Sequence, residues 1–235
     1  MSRRYLYAVV KHRPVTPLGP GLAGEPLSLV AVADVVAVVG EMADAPAATP
    51  DTLRGHDEVV RRLAGISDAI LPARFGTVQE ATALAEWLTD AAEGLGEALD
   101  LVTGREQMTL HVFQDEAPVA VAVEVEARGE SADETGLGPG ARYLAERRRH
   151  WLRKERVPEL EPLRPRLDAL VTAERVERRT TPPLRASVYH LIERGRSAEY
   201  RDAVEASLDL VVGVRLRVSG PWAPYAFAPA SPALQ

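Results

Sequence analysis

The chain has no cysteine among its 235 residues. That excludes a disulfide scaffold, a thiolate nucleophile and any Cys-ligated zinc or iron–sulfur centre, and it fits a reducing cytoplasm. It also lacks a long hydrophobic run. The most apolar stretch, Leu27 to Gly40, is interrupted by Asp34 and falls short of the roughly 20 residues that span a bilayer. Met1 to Val10 carries two arginines but no apolar segment with a small-residue cleavage site, so no signal peptide is expected. There is no excess of positive charge: 34 acids face 28 bases, for a net charge of −6. Proteins built to hold nucleic acid lean the other way. A cytoplasmic protein with neither a membrane nor a nucleic-acid partner is expected.

Local signatures of chemistry are missing too. The five histidines contain no His-x-x-x-His pair. The one His-x-Glu, at His56 to Glu58, has no cysteines to complete a zinc site. No Gly-x-Ser-x-Gly, Walker A or Gly-x-Gly-x-x-Gly occurs, and the glycines at 19–21 and 136–140 are interrupted by proline. The expectation is no catalytic residue, no cofactor and no metal. His56 reads as a hydrogen-bonded structural residue on an apolar helical face. His111 and His190 read as partly exposed strand residues.

What is present suffices for a core: 46 % hydrophobic residues, 26 % charged, and a length that suits one to two domains. Arg4 to Val10 reads as a strand. Leu27 to Gly40, rich in valine, reads as two short strands around Ala33–Asp34. A helix capped by Asp51 or Thr52 carries Leu53, His56, Val60 and Leu63 and ends at Gly65. Ile66 to Leu71 reads as a strand. Val78 to about Thr103 reads as one long helix with Leu84, Trp87, Leu88, Ala91, Leu95, Leu99 and Val102 on its apolar stripe, weakened by Gly94 and Gly96 and closed by Gly104. From Arg105 the period changes to two: Met108, Leu110 and Val112 alternate with Gln107, Thr109, His111 and Phe113, and Val119 to Val125 repeats the alternation. After a loop at 128–140 come helices at 141–156 and from Pro162 through Val171. A strand at Ala186–Ile192, a helix capped by Ser197 and a strand at Val214–Val218 complete the order.

This predicts an α+β chain: an N-terminal mixed α+β domain (1–104), a modified ferredoxin-like domain (105–218) and an extended tail (219–235). The tail holds Trp222, Tyr225 and Phe227, three of the chain's twelve aromatic residues. Exposed aromatics cost solubility, so the tail is expected to pack back on the N-terminal domain. In Leu71 to Val78, Arg74 and Phe75 lie between two elements. There Arg74 is expected either to bond carbonyls or a carboxylate with its guanidinium or to be an ordinary exposed loop arginine. The basic run from Arg142 to Arg156 reads as a solvated helix face, with a patch for an acidic partner as the alternative.

Tyr5-Leu6-Tyr7, His56-Asp57, Leu71-Pro72-Ala73-Arg74-Phe75-Gly76-Thr77-Val78, Gly104-Arg105-Glu106, Gly140 to Leu144 and Ser219 to Phe227 together resemble the gas vesicle protein family GvpF/GvpL, in order across nearly the whole chain. Ala73, Gln107, Ala223 and Ala226 depart from its usual residues. The resemblance implies a non-enzymatic assembly factor or minor structural protein of gas vesicles. Its implied partners are the major shell protein and other minor gas vesicle proteins, and its implied location is the gas vesicle. Arg74, Phe75, Trp222, Tyr225 and Phe227 are the expected structural or interaction residues. The alternative is an enzyme or nucleic-acid-binding regulator using the His56/Asp57/Arg74/Glu106 group or the basic helix.

Overall fold

The computed structural model describes residues 3–114, 157–180 and 182–229. The expected strand at 119–125, the loop at 128–140, the basic helix at 141–156 and the last six residues lie outside them. The described chain is mixed α+β, with two antiparallel sheets.

The first sheet contains β1 (Arg3–Val10), β2 (Leu27–Val32), β3 (Val35–Glu41), β4 (Ile70–Pro72) and β5 (Val78–Glu80). β3 pairs with one edge of β1, while β4 and β5 share the other. Segment 70–80 is thus one strand's worth of pairing interrupted by the loop Ala73–Thr77. Backbone bonds from Ala73 N–H to the Tyr7 carbonyl and from Leu6 N–H to the Thr77 carbonyl, both 2.9 Å, stitch the loop's two ends to β1. Both faces of the sheet are covered, so the valines of β3 are buried at successive positions instead of alternately. Helix α1 (Pro50–Gly65) lies on one face, and α2 (Ala81–Asp90) and α3 (Ala92–Val102) lie on the other. A bulge in β1 sorts its side chains between these faces. The pairing steps from Leu6–Val39 to Ala8–Val38, leaving Tyr7 as the extra residue. Tyr5, Tyr7, Ala8 and Val10 therefore face α1, while Leu6 and Val9 face α2 and α3.

The sequence reading needs correction in this half. The cap of α1 is Thr49, whose hydroxyl accepts from Thr52 N–H while Thr52 reciprocates; Pro50, with no N–H to lose, takes the first helical position. Leu53 is exposed, and Val59 takes its place in the buried stripe. The expected strand at 66–71 narrows to Ile70–Pro72. The single long helix is three elements: Val78–Glu80 pairs with β1, and the rest breaks at Ala91 (φ −94°, ψ 0°), not at the glycines. Gly104 does follow α3 with φ +67°, as a residue ending a helix.

The second sheet has the order β7-β8-β6-β9, all antiparallel, from β6 (Arg105–Gln114), β7 (Val171–Arg178), β8 (Leu184–Glu193) and β9 (Val214–Trp222). A 3-10 segment at Pro158–Leu163 and one helical turn at Arg164–Leu167 precede β7, and helix α4 (Ser197–Glu205) joins β8 to β9. The helix expected to run through Val171 thus stops early, and β7 is a strand the sequence reading missed. Val-Thr-Ala-Glu-Arg-Val-Glu-Arg has no clean period, and pairing with β8 decides its state. Ser197 is the first residue of α4, not its cap. Met108, Leu110 and Val112 pack as expected on one face, with Leu163, Leu167, Tyr200 and Val204. On the other face, Ala173 and Leu191 join the cluster that holds Leu6, Val9, Leu95 and Leu99. The two sheets therefore share one core cluster across α2 and α3.

Candidate functional site: an inter-sheet cleft, a clamped tail and a buried hub

A hydrogen-bonded hub sits under the Ala73–Thr77 loop. The Ala73 carbonyl can only accept, so the His56 Nε2 facing it at 3.2 Å carries the proton. The Nδ1 then accepts from the Tyr5 hydroxyl at 2.9 Å, and that hydroxyl accepts from Gly76 N–H at 3.0 Å. Burial pushes the His56 pKa below its ordinary value and the Tyr5 hydroxyl up to about 12, so both are neutral. Tyr7 stacks on the His56 ring, and Phe75 meets it edge-on with centroids 5.8 Å apart. The Tyr7 hydroxyl accepts from Leu22 N–H at 2.9 Å and donates to Glu25, tying the 18–26 loop to the same cluster. The hub thus places Phe75 among its rings.

Arg74 is different. Its side chain is exposed and makes no hydrogen bond or ion pair among the described residues, and only its carbonyl is used, by Thr77 N–H and the Thr77 hydroxyl. Of the two readings of Arg74, the structure gives the exposed loop arginine and not the guanidinium tying two elements together: His56, reaching across from α1, holds the loop. Arg74→Ala is accordingly expected to leave the urea unfolding midpoint unchanged, within about 0.5 kcal/mol. A loss of 1 kcal/mol or more would contradict this placement.

The tail runs across both sheets. β9 continues to Trp222 through a bulge at Gly220, four residues beyond the strand end expected from alternation. Gly220 has φ +115°, and a Cβ there would stand 2.7 Å from the Gln107 carbonyl, so only glycine fits. Beyond it the backbone of Ala226 is clamped. Its N–H donates to the Gln107 side chain of β6 at 2.8 Å, and its carbonyl accepts from Arg175 of β7. Phe227, 1 % exposed, enters the shared core beside Leu6 and Leu71, while Tyr225 packs with the α1-side cluster, where burial pushes its hydroxyl pKa up. Trp222 is 38 % exposed and is not part of this packing. Gln107 and Arg175 were not expected as anchors; the departure of Gln107 from the residue usual in the family that the sequence resembles was the available signal for the first.

A cleft of about 340 Å³ opens between α1, the start of β6 and the tail, with Trp222 on its wall. Arg105 begins β6 and Arg194 follows β8. Arg105 pairs with Glu193 in register, and Arg194 N–H donates to the Gly104 carbonyl at 3.0 Å, so both arginines sit at the same end of neighbouring strands. Trp222, paired with Gln107, ends β9 on the other side of β6. Asp57 and Glu106 also line the cleft, but His56 is buried with both ring nitrogens engaged, and Arg74 does not line it. The four residues of the alternative reading do not converge.

A second hydrogen-bonded chain lies on the Met108–Val112 face of the second sheet. His190, only 3 % exposed and not the half-exposed strand residue expected, meets the Tyr200 hydroxyl at 2.6 Å and Glu174 at 2.9 Å, and Glu174 also meets Arg164 at 3.3 Å. Burial pushes the Glu174 carboxyl up, but the bond and charge of His190, with Arg164, outweigh it and hold the group below the ordinary carboxylate value. Tyr200 is fully buried, while Arg164, Glu174 and His190 line a pocket of about 170 Å³. Among the described residues, no three His, Asp or Glu side chains are grouped to hold a metal ion, and no helix is long and apolar enough to cross a membrane.

Residues 3–229 match the family described as gas vesicle synthesis protein GvpL/GvpF. The chain is 28 % identical over 253 residues to gas vesicle protein L of a Streptomyces species, covering 96 % of this chain and 92 % of that protein. It is 30 % identical over 260 residues to gas vesicle protein L2 of Halobacterium salinarum, covering 96 % and 91 %. The crystal structure of gas vesicle protein GvpF from Anabaena superposes with a TM-score of 0.70 at 17 % identity, covering 100 % of this chain and 99 % of that one. GvpF from Microcystis aeruginosa gives 0.68 at 16 %, covering 98 % and 100 %. With the family's match running from β1 through the clamped tail, the chain belongs to the GvpL/GvpF family of gas vesicle proteins.

Proposed function

We propose that this protein is a non-enzymatic assembly factor or minor structural component of gas vesicles, working in the cytoplasm and at the vesicle itself. It would associate with the major shell protein and with other minor gas vesicle proteins. The observation that carries this reading is family membership over residues 3–229. The physics agrees with it. Shell subunits that pack edge to edge expose apolar surface and unpaired strands before they assemble, and a partner with its own sheet edges can cover them. Among the described residues β2 ends one sheet, and β7 and β9 end the other. Strand order β7-β8-β6-β9, with helical segments before β7 and before β9, supports reading 105–218 as a ferredoxin-like domain beside an N-terminal α+β domain at 1–104. The clamped segment of the 219–235 tail would then join the two.

The test is co-purification. The tagged protein, mixed with the major shell protein of its own gene cluster, is expected to retain it on the column, and vesicles purified from cells are expected to form poorly without this protein. Absence of co-capture together with normal vesicle yield in a deletion strain would sink the proposal.

A further inference from the structure

The cleft between α1, the start of β6 and the tail holds charge that the fold does not use. The Arg105 Nη1 donates to the Leu101 carbonyl, while Nε is sealed from solvent with no partner among the described residues. Arg194 spends one bond on the Ser67 carbonyl at 3.3 Å. Among the described residues neither guanidinium meets a carboxylate, although acids outnumber bases in the chain. The two acids on the cleft wall already have partners: Asp57 pairs with Arg61, which lines the same cleft, and Glu106 accepts from Gly195 N–H at 3.2 Å. A half-buried arginine pinned by a carbonyl and lacking a counter-charge is prepared for a carboxylate, because its fork needs little further ordering to bind one. Beside it stands Trp222, the one tail aromatic left exposed while Tyr225 and Phe227 are packed away. A large ring at the edge of a cationic cleft supplies the apolar half of a binding site.

We propose that this cleft docks an acidic peptide segment of a partner protein, its carboxylate lying across Arg105 and Arg194 and its neighbouring apolar side chain packing on Trp222. A volume of about 340 Å³ suits a few side chains. A chain net charge of −6 disfavours a long polyanion such as nucleic acid more than a short peptide that carries one or two carboxylates. The site is defined by its chemistry alone and goes beyond the assembly reading, which stands or falls on the shell-protein experiment.

The test uses the full-length protein and a random dodecapeptide phage library. Selection is expected to enrich peptides with Asp or Glu next to an aromatic or aliphatic residue. A synthetic peptide of the enriched sequence should bind roughly tenfold more weakly to Arg105→Gln, to Arg194→Gln and to Trp222→Ala, a loss of the size expected for one charge-assisted hydrogen bond or one aromatic anchor. Its Asp/Glu-to-Asn/Gln counterpart should lose a similar factor against the unaltered protein. Arg13→Gln, an exposed arginine outside the cleft, should bind normally. Circular dichroism of each variant checks folding, and Arg194→Gln, on an exposed turn, keeps the test open if Arg105→Gln unfolds. No enrichment, enrichment of peptides without acids, or equal binding by Arg194→Gln and the unaltered protein overturns the proposal. Tighter binding of single-stranded DNA at the same arginines would overturn it as well.

Discussion

Replacing Phe227 by alanine is expected to cost about 3–5 kcal/mol, the range for removing a large aromatic from a core that cannot collapse around the gap. The ring is 1 % exposed and lies in a cluster to which both sheets contribute, with Leu6, Leu71, Ala173 and Leu191. Its backbone cannot follow the cavity inward, because the preceding residue is held on both sides by Gln107 and Arg175. Trp222→Ala, five residues earlier, should cost clearly less than Phe227→Ala, since a side chain 38 % exposed and outside the core clusters leaves no enclosed cavity when it is removed. Urea denaturation of the two variants separates the possibilities. Equal losses would mean that the tail binds as a unit without a specific anchor. An unchanged Phe227→Ala midpoint would mean that the tail does not hold the sheets together.

His56→Phe is expected to destabilise by about 2–4 kcal/mol and to remove a pH dependence. The phenyl ring keeps the packing but orphans the Ala73 carbonyl and takes away the Tyr5 acceptor, and each buried polar group left unpaired costs roughly 1–3 kcal/mol. The sign of the pH effect follows from the lowered pKa. The unfolded chain binds a proton near pH 6.5, whereas the folded chain resists it until lower pH. The contribution of the neutral imidazole is therefore complete above pH 6.5 and is lost as pH falls from there through the folded-state pKa. Between pH 7.5 and 5.5, the unaltered protein should lose up to about 1 kcal/mol more than His56→Phe. Parallel pH slopes would place the histidine's titration elsewhere.

Much of this protein could be read from one-dimensional pattern. The Tyr5–Val10 strand, the Leu84–Val102 stripe, the Met108–Val112 alternation and the burial of Tyr225 and Phe227 all follow from the need to hide apolar side chains at a fixed period. That need operates locally, so a local reading finds it. The ordered motifs from Tyr5-Leu6-Tyr7 to the tail were likewise enough to point to the family.

Other features depend on partners distant in sequence. Val78–Glu80 reads as the start of a helix until β1 offers it a ladder, and Val171–Arg178 has no period until β8 pairs with it. Arg74 sits in the most specified segment of the chain and yet points to solvent. The loop is held by His56, seventeen residues earlier, because α1 crosses the sheet face on which the bulge at Tyr7 places the tyrosine hydroxyls. Trp222 looked equivalent to Tyr225 and Phe227, but β9 ends with it facing a cleft while the clamp on Ala226 turns the other two inward. Composition and period decide which residues must be buried. Which polar groups they meet, and which aromatic is left for a partner, is decided by strand order and register, because those bring together groups that no sequence window contains.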